Sequence, residues 1–339
     1  MPKGNRTTTL PRPNTYAIMN SMTTQEKPPS HGIQLSGYVW LGLLGQLLWG
    51  CYPPTAKRAL MEVPKFSLLF LATTASMVVG LGVMWREERR SPTAVWRLLW
   101  QGGTLWGLIF FVVLRSVTNL YAIDFTRATW VQLVYLLTPF AVAILGALLF
   151  GEPTPPYTYQ ALLLSSFGAV LVLVKDWSDV LAGFTLRDAA GLGIAGLSML
   201  SLAVYFLLVR RSSQQATSRG MIMFQQGLAL VATYGFLSAV TGEAWQAWLH
   251  LSPQGWAVVF WLIGGIFVIG NLLQITALGG ANAALVTSLM PLRLVSAIAL
   301  GWWLLGERLT TVWQWFGAGL VLVTVSGYLW LQQTQNRAP

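Results

Sequence analysis

Long apolar runs follow one another along the chain from Gly37 onwards, separated by short polar segments. A helix that crosses a bilayer needs about 20 mainly apolar residues, and ten runs approach or exceed that length. They cover residues 37–56, 66–85, 98–121, 128–150, 157–175, 188–209, 220–241, 254–275, 281–305 and 312–332. The runs are too long and too uniformly apolar for barrel strands, which are shorter and alternate in polarity. The pattern therefore predicts an all-α membrane protein with ten transmembrane helices.

The two ends of the chain differ from this pattern. Residues 1–36 are polar and rich in Pro, Thr and Ser, which predicts a disordered N-terminal tail. A start at Met19 or Met22 would leave every apolar run intact. Residues 333–339 form a short C-terminal tail. Lys and Arg are more frequent in the segments that share a side with the N-terminus, which predicts that both tails are cytoplasmic.

The composition supports a membrane protein and excludes several other classes. The chain is 55% hydrophobic and only 9% charged, whereas soluble domains carry about 25% charged residues. Its net charge of +10 is spread over the ends of the runs and forms no patch that predicts nucleic-acid binding. With one Cys, and with His31 and His250 outside the runs, we expect no disulfide, metal site or cofactor. No Walker loop or nucleophile elbow is present, so we expect no enzyme.

Two segments of the chain repeat each other. Residues 122–152 and 277–307 both begin with Ala and end in Gly-Glu, and they match without a gap. Five runs in 37–176 and five in 188–332 make up the two copies. Because the number of runs per copy is odd, the second copy enters the membrane inverted. Inverted repeats are common in secondary transporters, where the substrate binds near the midplane between the copies. Duplication in a protein that transports nothing is the alternative.

The repeated residues resemble the drug/metabolite transporter superfamily, EamA-type branch. In the first copy the resemblance is carried by Ala122, Thr126, Ala128, Pro139, Glu152 and Gly168-Ala169. In the second copy it is carried by Ala277, Ala281, Ala283, Glu307 and Gly317-Ala318. The resemblance implies a ten-helix carrier in a bacterial-type cytoplasmic membrane that moves a small metabolite, often exporting an amino acid or related compound. Its partners would be that substrate and the lipid bilayer, and a homodimer stays open.

The second copy departs from the family pattern at its centre. Pro291 lies three positions before Leu294, the residue that matches Pro139, and Arg293 stands where the first copy has Thr138.

Arg293 and Arg115 are the charges that fall inside predicted spans. A charge there is costly unless it faces a cavity, a partner or a ligand, and no acid lies deep in any predicted span. A substrate carboxylate or phosphate would satisfy both residues; extension of the side chain to the lipid headgroups is the alternative.

Polar and aromatic residues at helical spacing complete the candidate substrate site. Asn119 in the third run matches Gln274 in the eighth, where Asn271 lies on the same helix face. Trp49, Gln132, Tyr135 and Tyr205 would suit an amphipathic substrate. Hydrogen bonds between helices and ordinary packing are the alternatives. For Pro53, Pro139 and Pro291 we expect hinges, and for Glu152 and Glu307 a structural role at the N-terminus of the next helix.

Overall fold

The computed structural model describes residues 32–88, 103–126, 131, 134–174, 185–215, 217–306, 309 and 311–335. By internal contacts the chain divides into Met1–Gly32 and Ile33–Pro339, and the architecture below is that of the second unit. The described residues contain helices and no strands. The first helix already begins at Gly32, inside the segment predicted to be a disordered tail.

The described residues form thirteen α-helices in chain order. They are α1 (Gly32–Gly50), α2 (Tyr52–Ala59), α3 (Lys65–Glu88), α4 (Gly103–Phe125), α5 (Thr138–Phe150), α6 (Thr158–Leu173), α7 (Leu186–Gln214), α8 (Arg219–Thr241), α9 (Pro253–Phe260), α10 (Asn271–Gly280), α11 (Ala283–Thr287), α12 (Arg293–Leu305) and α13 (Val312–Gln335). Two 3-10 helices (Trp245–His250 and Met290–Leu292) and a π-helix (Trp261–Gly270) complete the set.

Seven stretches of the described residues are long and apolar enough to cross a membrane. They are Lys65–Glu87, Thr104–Ala122, Leu186–Gln214, Arg219–Thr241, Pro253–Gly280, Ala283–Leu305 and Val312–Leu331. Two more apolar helices, Thr138–Phe150 and Thr158–Val172, are shorter. Large apolar side chains face outward, and Leu148 and Trp303 are each 75% exposed. A surface of this kind suits lipid and not water.

The fourth and ninth predicted spans are interrupted in the structure. Proline lacks a backbone N–H and favours the first turn of a helix. Accordingly, α5 begins at Thr138 with Pro139 in its first turn, after a turn at residues 136–137. The ninth span is split into α11, the 3-10 turn that contains Pro291, and α12. The two interruptions lie in the spans predicted at 128–150 and 281–305, beside the prolines for which the sequence predicted hinges.

The helices pack in pairs that join the two halves of the chain. Helix α3 packs most extensively on α8, α4 on α7, and α6 on α13. Helix α1 approaches α10 closely, since a Cβ at Gly42 would lie 3.5 Å from the Cβ of Ala277. The largest buried cluster contains Leu108 from α4, Phe206 from α7 and Ile222 from α8. The core is therefore built from both halves.

Candidate functional site

A cavity of about 180 Å³ lies where the fourth and ninth predicted spans are interrupted. Residues from both halves line it, including most of those that the sequence singled out. The predicted residues in its wall are Trp49, Pro53, Arg115, Asn119, Tyr135, Pro139, Pro291 and Arg293. We call this space the central cavity.

Two smaller cavities border on the same Trp49 and Arg115 side chains. One of about 80 Å³ is lined by Asn119, Tyr234 and Phe267 among others. The other, of about 20 Å³, brings in three further predicted residues, Tyr205, Asn271 and Gln274 and has room for about one water molecule. Candidate residues from seven α-helices are thus grouped around the central cavity and these two smaller cavities, which we call its branches.

Arg293 is the first residue of α12 and is held against α1. Its Nε donates a hydrogen bond of 2.5 Å to Oε1 of Gln46. Its guanidinium carbon lies 5.9 Å from the ring centroid of Trp49. The backbones can approach because residue 50 is glycine: a Cβ there would overlap the carbonyl oxygen of Arg293 and the hydroxyl of Ser296. The guanidinium is therefore held in the cavity wall by residues of α1.

Arg115 lies in the middle of α4 and faces the same space. Its guanidinium carbon is 5.3 Å from the ring centroid of Tyr205. Its Nε is buried and has no hydrogen-bond partner among the described residues. Its carbonyl oxygen accepts a 2.7 Å hydrogen bond from Ser198, whose Oγ lies 2.5 Å from the hydroxyl oxygen of Tyr135. Ser198 therefore links Tyr135 to the backbone of Arg115.

The charges of the two arginines are not balanced by nearby carboxylates. Within the described part of the chain, neither guanidinium forms a salt bridge, and no Asp or Glu lines the three cavities. An unpaired charge away from water costs several kcal/mol, on the order of the insertion penalty for Arg at a helix centre. Two such positive charges around one cavity would be stabilised by a bound anion.

The two amide side chains on the eighth predicted span, Asn271 and Gln274, differ in their hydrogen bonds. Asn271 donates a 3.3 Å hydrogen bond to Ser76 on α3, which is the interhelical role left open by the sequence. Oε1 of Gln274 is buried without a described partner. Just before Asn271 the backbone is a π-helix, a rare form that often occurs at functional sites. The ring centroid of Phe267 in that segment lies 5.7 Å from that of Trp49 and 5.8 Å from that of Tyr52.

Glu152 lies away from the central cavity. Its Oε1 accepts a 2.6 Å salt bridge from Nε of Arg210 on α7. Arg210 also donates to the carbonyl oxygen of Ala281, so the pair ties the end of α5 to the chain between α10 and α11. We expected a structural role for Glu152 at the N-terminus of α6. That helix begins without a side-chain cap, so Glu152 does not cap it. Gln132 and Glu307 lie outside the described residues.

Two residues near the cavity, Gln46 and Ser198, form hydrogen bonds with the arginines that their sequence pattern did not predict. Gln46 and Ser198 recur at three-residue spacing with Trp49 and Ser201, a pattern more typical of packing. In the structure they hold Arg293 and the backbone of Arg115, respectively. The sequence signal that could have identified them is a polar residue within an apolar run, since a polar side chain that becomes buried needs a hydrogen-bond partner.

Comparison with known proteins agrees with the fold and with the first half of the chain. One solved structure, titled "Crystal structure of protein", has a TM-score of 0.68 and 19% sequence identity, over 89% of this chain and 99% of its own. At that identity the likeness shows the fold alone. No curated protein matches this chain. The model of the EamA-like transporter family matches residues 35–174.

This match and the apolar helices together support a multi-pass membrane protein. Residues 35–174 are similar to the EamA-like transporter family, a likeness that is consistent with the drug/metabolite transporter superfamily.

Proposed function

We propose that the protein is a secondary-type carrier of a small polar or amphipathic metabolite, working by alternating access between two inverted five-helix halves. The observation that carries this proposal is the central cavity between the two broken spans, with Pro139 from one half and Pro291 from the other in its wall. Carriers built from inverted repeats bind substrate near the midplane, between discontinuous helices of this kind.

The helix pairs support the inverted arrangement. A two-fold axis in the membrane plane would bring equivalent helices of the two halves together. The second and seventh spans pack as α3 and α8, and the fifth and tenth pack as α6 and α13. The α4–α7 contact, between the third and sixth spans, has its counterpart in α10 and α1, where Gly42 approaches Ala277. The ten spans and both cytoplasmic termini are part of the same proposal. An exporting direction follows from the family resemblance alone.

Transport can be tested in liposomes that contain the purified full-length chain. The vesicles are incubated with a mixture of small metabolites, and their contents are compared by mass spectrometry with those of empty liposomes. A carrier should admit a small subset of the mixture and should leave the rest outside. The alternative, a membrane scaffold with the same fold, predicts identical contents in both preparations.

A further inference from the structure

The charge balance of the central cavity limits what it can hold. Arg115 and Arg293 both line it, and no described carboxylate lines it or its two branches. The partner of Arg293 is the neutral amide of Gln46, and Nε of Arg115 has no described partner. An anionic group placed between them would gain charge-assisted hydrogen bonds, which are about twice as strong as neutral ones.

The helix breaks act in the same direction. Helices α5 and α12 each have 13 residues, and both begin at the cavity, where Pro139 and Leu294 line its wall. The N-terminal end of a helix carries a partial positive charge that attracts anions and repels cations. Discontinuous helices in carriers use these ends to hold anionic substrate groups. The start of α5 therefore adds to the positive potential of the two guanidinium groups, whereas at the start of α12 the N–H of Arg293 already donates to the carbonyl oxygens of Met290 and Pro291.

An ammonium group finds no carboxylate among the described residues that line these cavities. Neutral oxygens such as Oε1 of Gln274 can accept its hydrogen bonds but do not balance its charge. The rings of Trp49 and Tyr205 already lie within 5.9 and 5.3 Å of the arginines. The hydroxyl of Tyr135 is engaged with Ser198. A zwitterionic amino acid would bring its positive charge into a space that is already positive.

We propose that the central cavity selects small organic anions without an ammonium group, and that it discriminates against zwitterionic amino acids. The anionic group is a carboxylate or a phosphate monoester, bound between Arg115 and Arg293. The rest of the molecule is apolar or aromatic, because Leu136, Leu202 and Leu294 complete the wall. This inference rests on the proposed transport function, since it names the cargo of the same site.

Compounds of matched skeleton test the inference by binding to the purified full-length protein. The series is 3-phenylpropionate, phenylalanine and 2-phenylethylamine, and phenyl phosphate separates the two anion chemistries. Binding is followed by microscale thermophoresis, with sodium chloride and sodium sulfate at equal ionic strength as salt controls. We expect at least one anion to bind at least about 10-fold more tightly than phenylalanine, because the ammonium group of phenylalanine would be placed beside two like charges, which costs free energy.

Substitutions of the two arginines test whether the anion binds in the central cavity. Arg115→Gln and Arg293→Gln should each weaken anion binding on the order of 10-fold. Arg211→Gln is the matched control, because that guanidinium lies 5.2 Å from the Phe150 ring and lines none of the three cavities. Gln46→Glu keeps the size of the residue that holds Arg293 but neutralises that charge, so it should weaken binding even if an arginine variant fails to fold.

Binding of phenylalanine or the amine as tight as that of the anions would overturn the inference. So would anion binding that survives Gln46→Glu and the arginine variants, or no binding of either anion. Because binding is measured without flux, failure of the two proposals can be told apart. Selective anion binding by a protein that moves no solute would contradict transport alone, whereas transport of amino acids without anion binding would contradict the anion selectivity alone.

Discussion

Gly168 on α6 and Gly317 on α13 face each other across the contact between these helices. A Cβ built on Gly168 would lie 2.9 Å from the carbonyl oxygen of Gly317, and one built on Gly317 would overlap the carbonyl oxygen of Gly168. The two glycines belong to the Phe-Gly-Ala segments shared by the two halves. Contact between equivalent positions is what a two-fold relation between the halves requires.

Replacing Gly317 with valine should separate α6 from α13. The added side chain would meet backbone, which cannot move aside, and overpacking of this kind costs about 1–3 kcal/mol. Gly319→Val is the matched control on the same helix, because a Cβ at Gly319 meets nothing within 4 Å. Thermal unfolding in detergent should show a lower midpoint for the first variant only. Equal midpoints would contradict the close packing.

The salt bridge between Glu152 and Arg210 should stabilise the protein more than a surface pair does. Its side chains are only 17% and 16% exposed, and Arg210 also donates to the Ala281 carbonyl. Removing one partner of a buried pair costs about 3–5 kcal/mol, and of a surface pair about 0–1 kcal/mol.

Glu152→Gln should therefore cost about 2 kcal/mol, between these limits. Glu87→Gln, in a pair with Arg219 that is 24% and 49% exposed, is the control and should cost less. Chemical denaturation of the two variants in the same detergent measures both. A smaller loss for Glu152→Gln than for Glu87→Gln would be the contrary result.

Glu62, between α2 and α3, should make stability depend on pH. Hydrogen bonds from the backbone N–H and hydroxyl of Ser252, and the nearby Arg58, lower the pKa of this carboxyl below its ordinary 4.5. A carboxyl whose pKa is lower in the folded state stabilises the fold above its ordinary pKa, and this contribution is lost as the pH falls through the folded-state pKa.

The difference in unfolding midpoint between the native protein and Glu62→Gln isolates this effect. We expect the difference to be largest near neutral pH and to shrink as the pH falls below about 4. A difference that stayed constant over this range would show that the carboxylate charge contributes nothing.

The sequence predicted the membrane class and most of the residues around the cavity, because these depend on properties that periodicity and composition carry. Because the long apolar runs contain few polar residues, the charged side chains of Arg115 and Arg293 could be singled out in them. Their grouping around one space depends on how α4 and α12 pack, which no local pattern contains. Gln46 is an example: its bond to Arg293 joins residues from opposite ends of the chain.

The helix breaks were only partly accessible from the sequence. Pro139 and Pro291 predicted interruptions, but membrane helices also tolerate proline without ending. Whether the helix stops depends on neighbours that can satisfy the freed backbone groups. The π-helix at Trp261–Gly270 had no signal in the sequence, because all of its residues are apolar or glycine and the eighth predicted span is uniformly apolar there. Likewise, the partner of Glu152 is Arg210 on α7, which its position before α6 did not indicate.

Counterflow measures whether an anion crosses the membrane through the cavity at Arg293. Liposomes containing the full-length protein are loaded with unlabelled 3-phenylpropionate or phenyl phosphate and diluted into a trace of the same labelled compound. We expect transient accumulation of label for at least one anion with the native protein and with Arg211→Gln, and none with Arg293→Leu that is folded in the vesicles. No accumulation with the native protein, or undiminished accumulation with Arg293→Leu, would contradict this expectation.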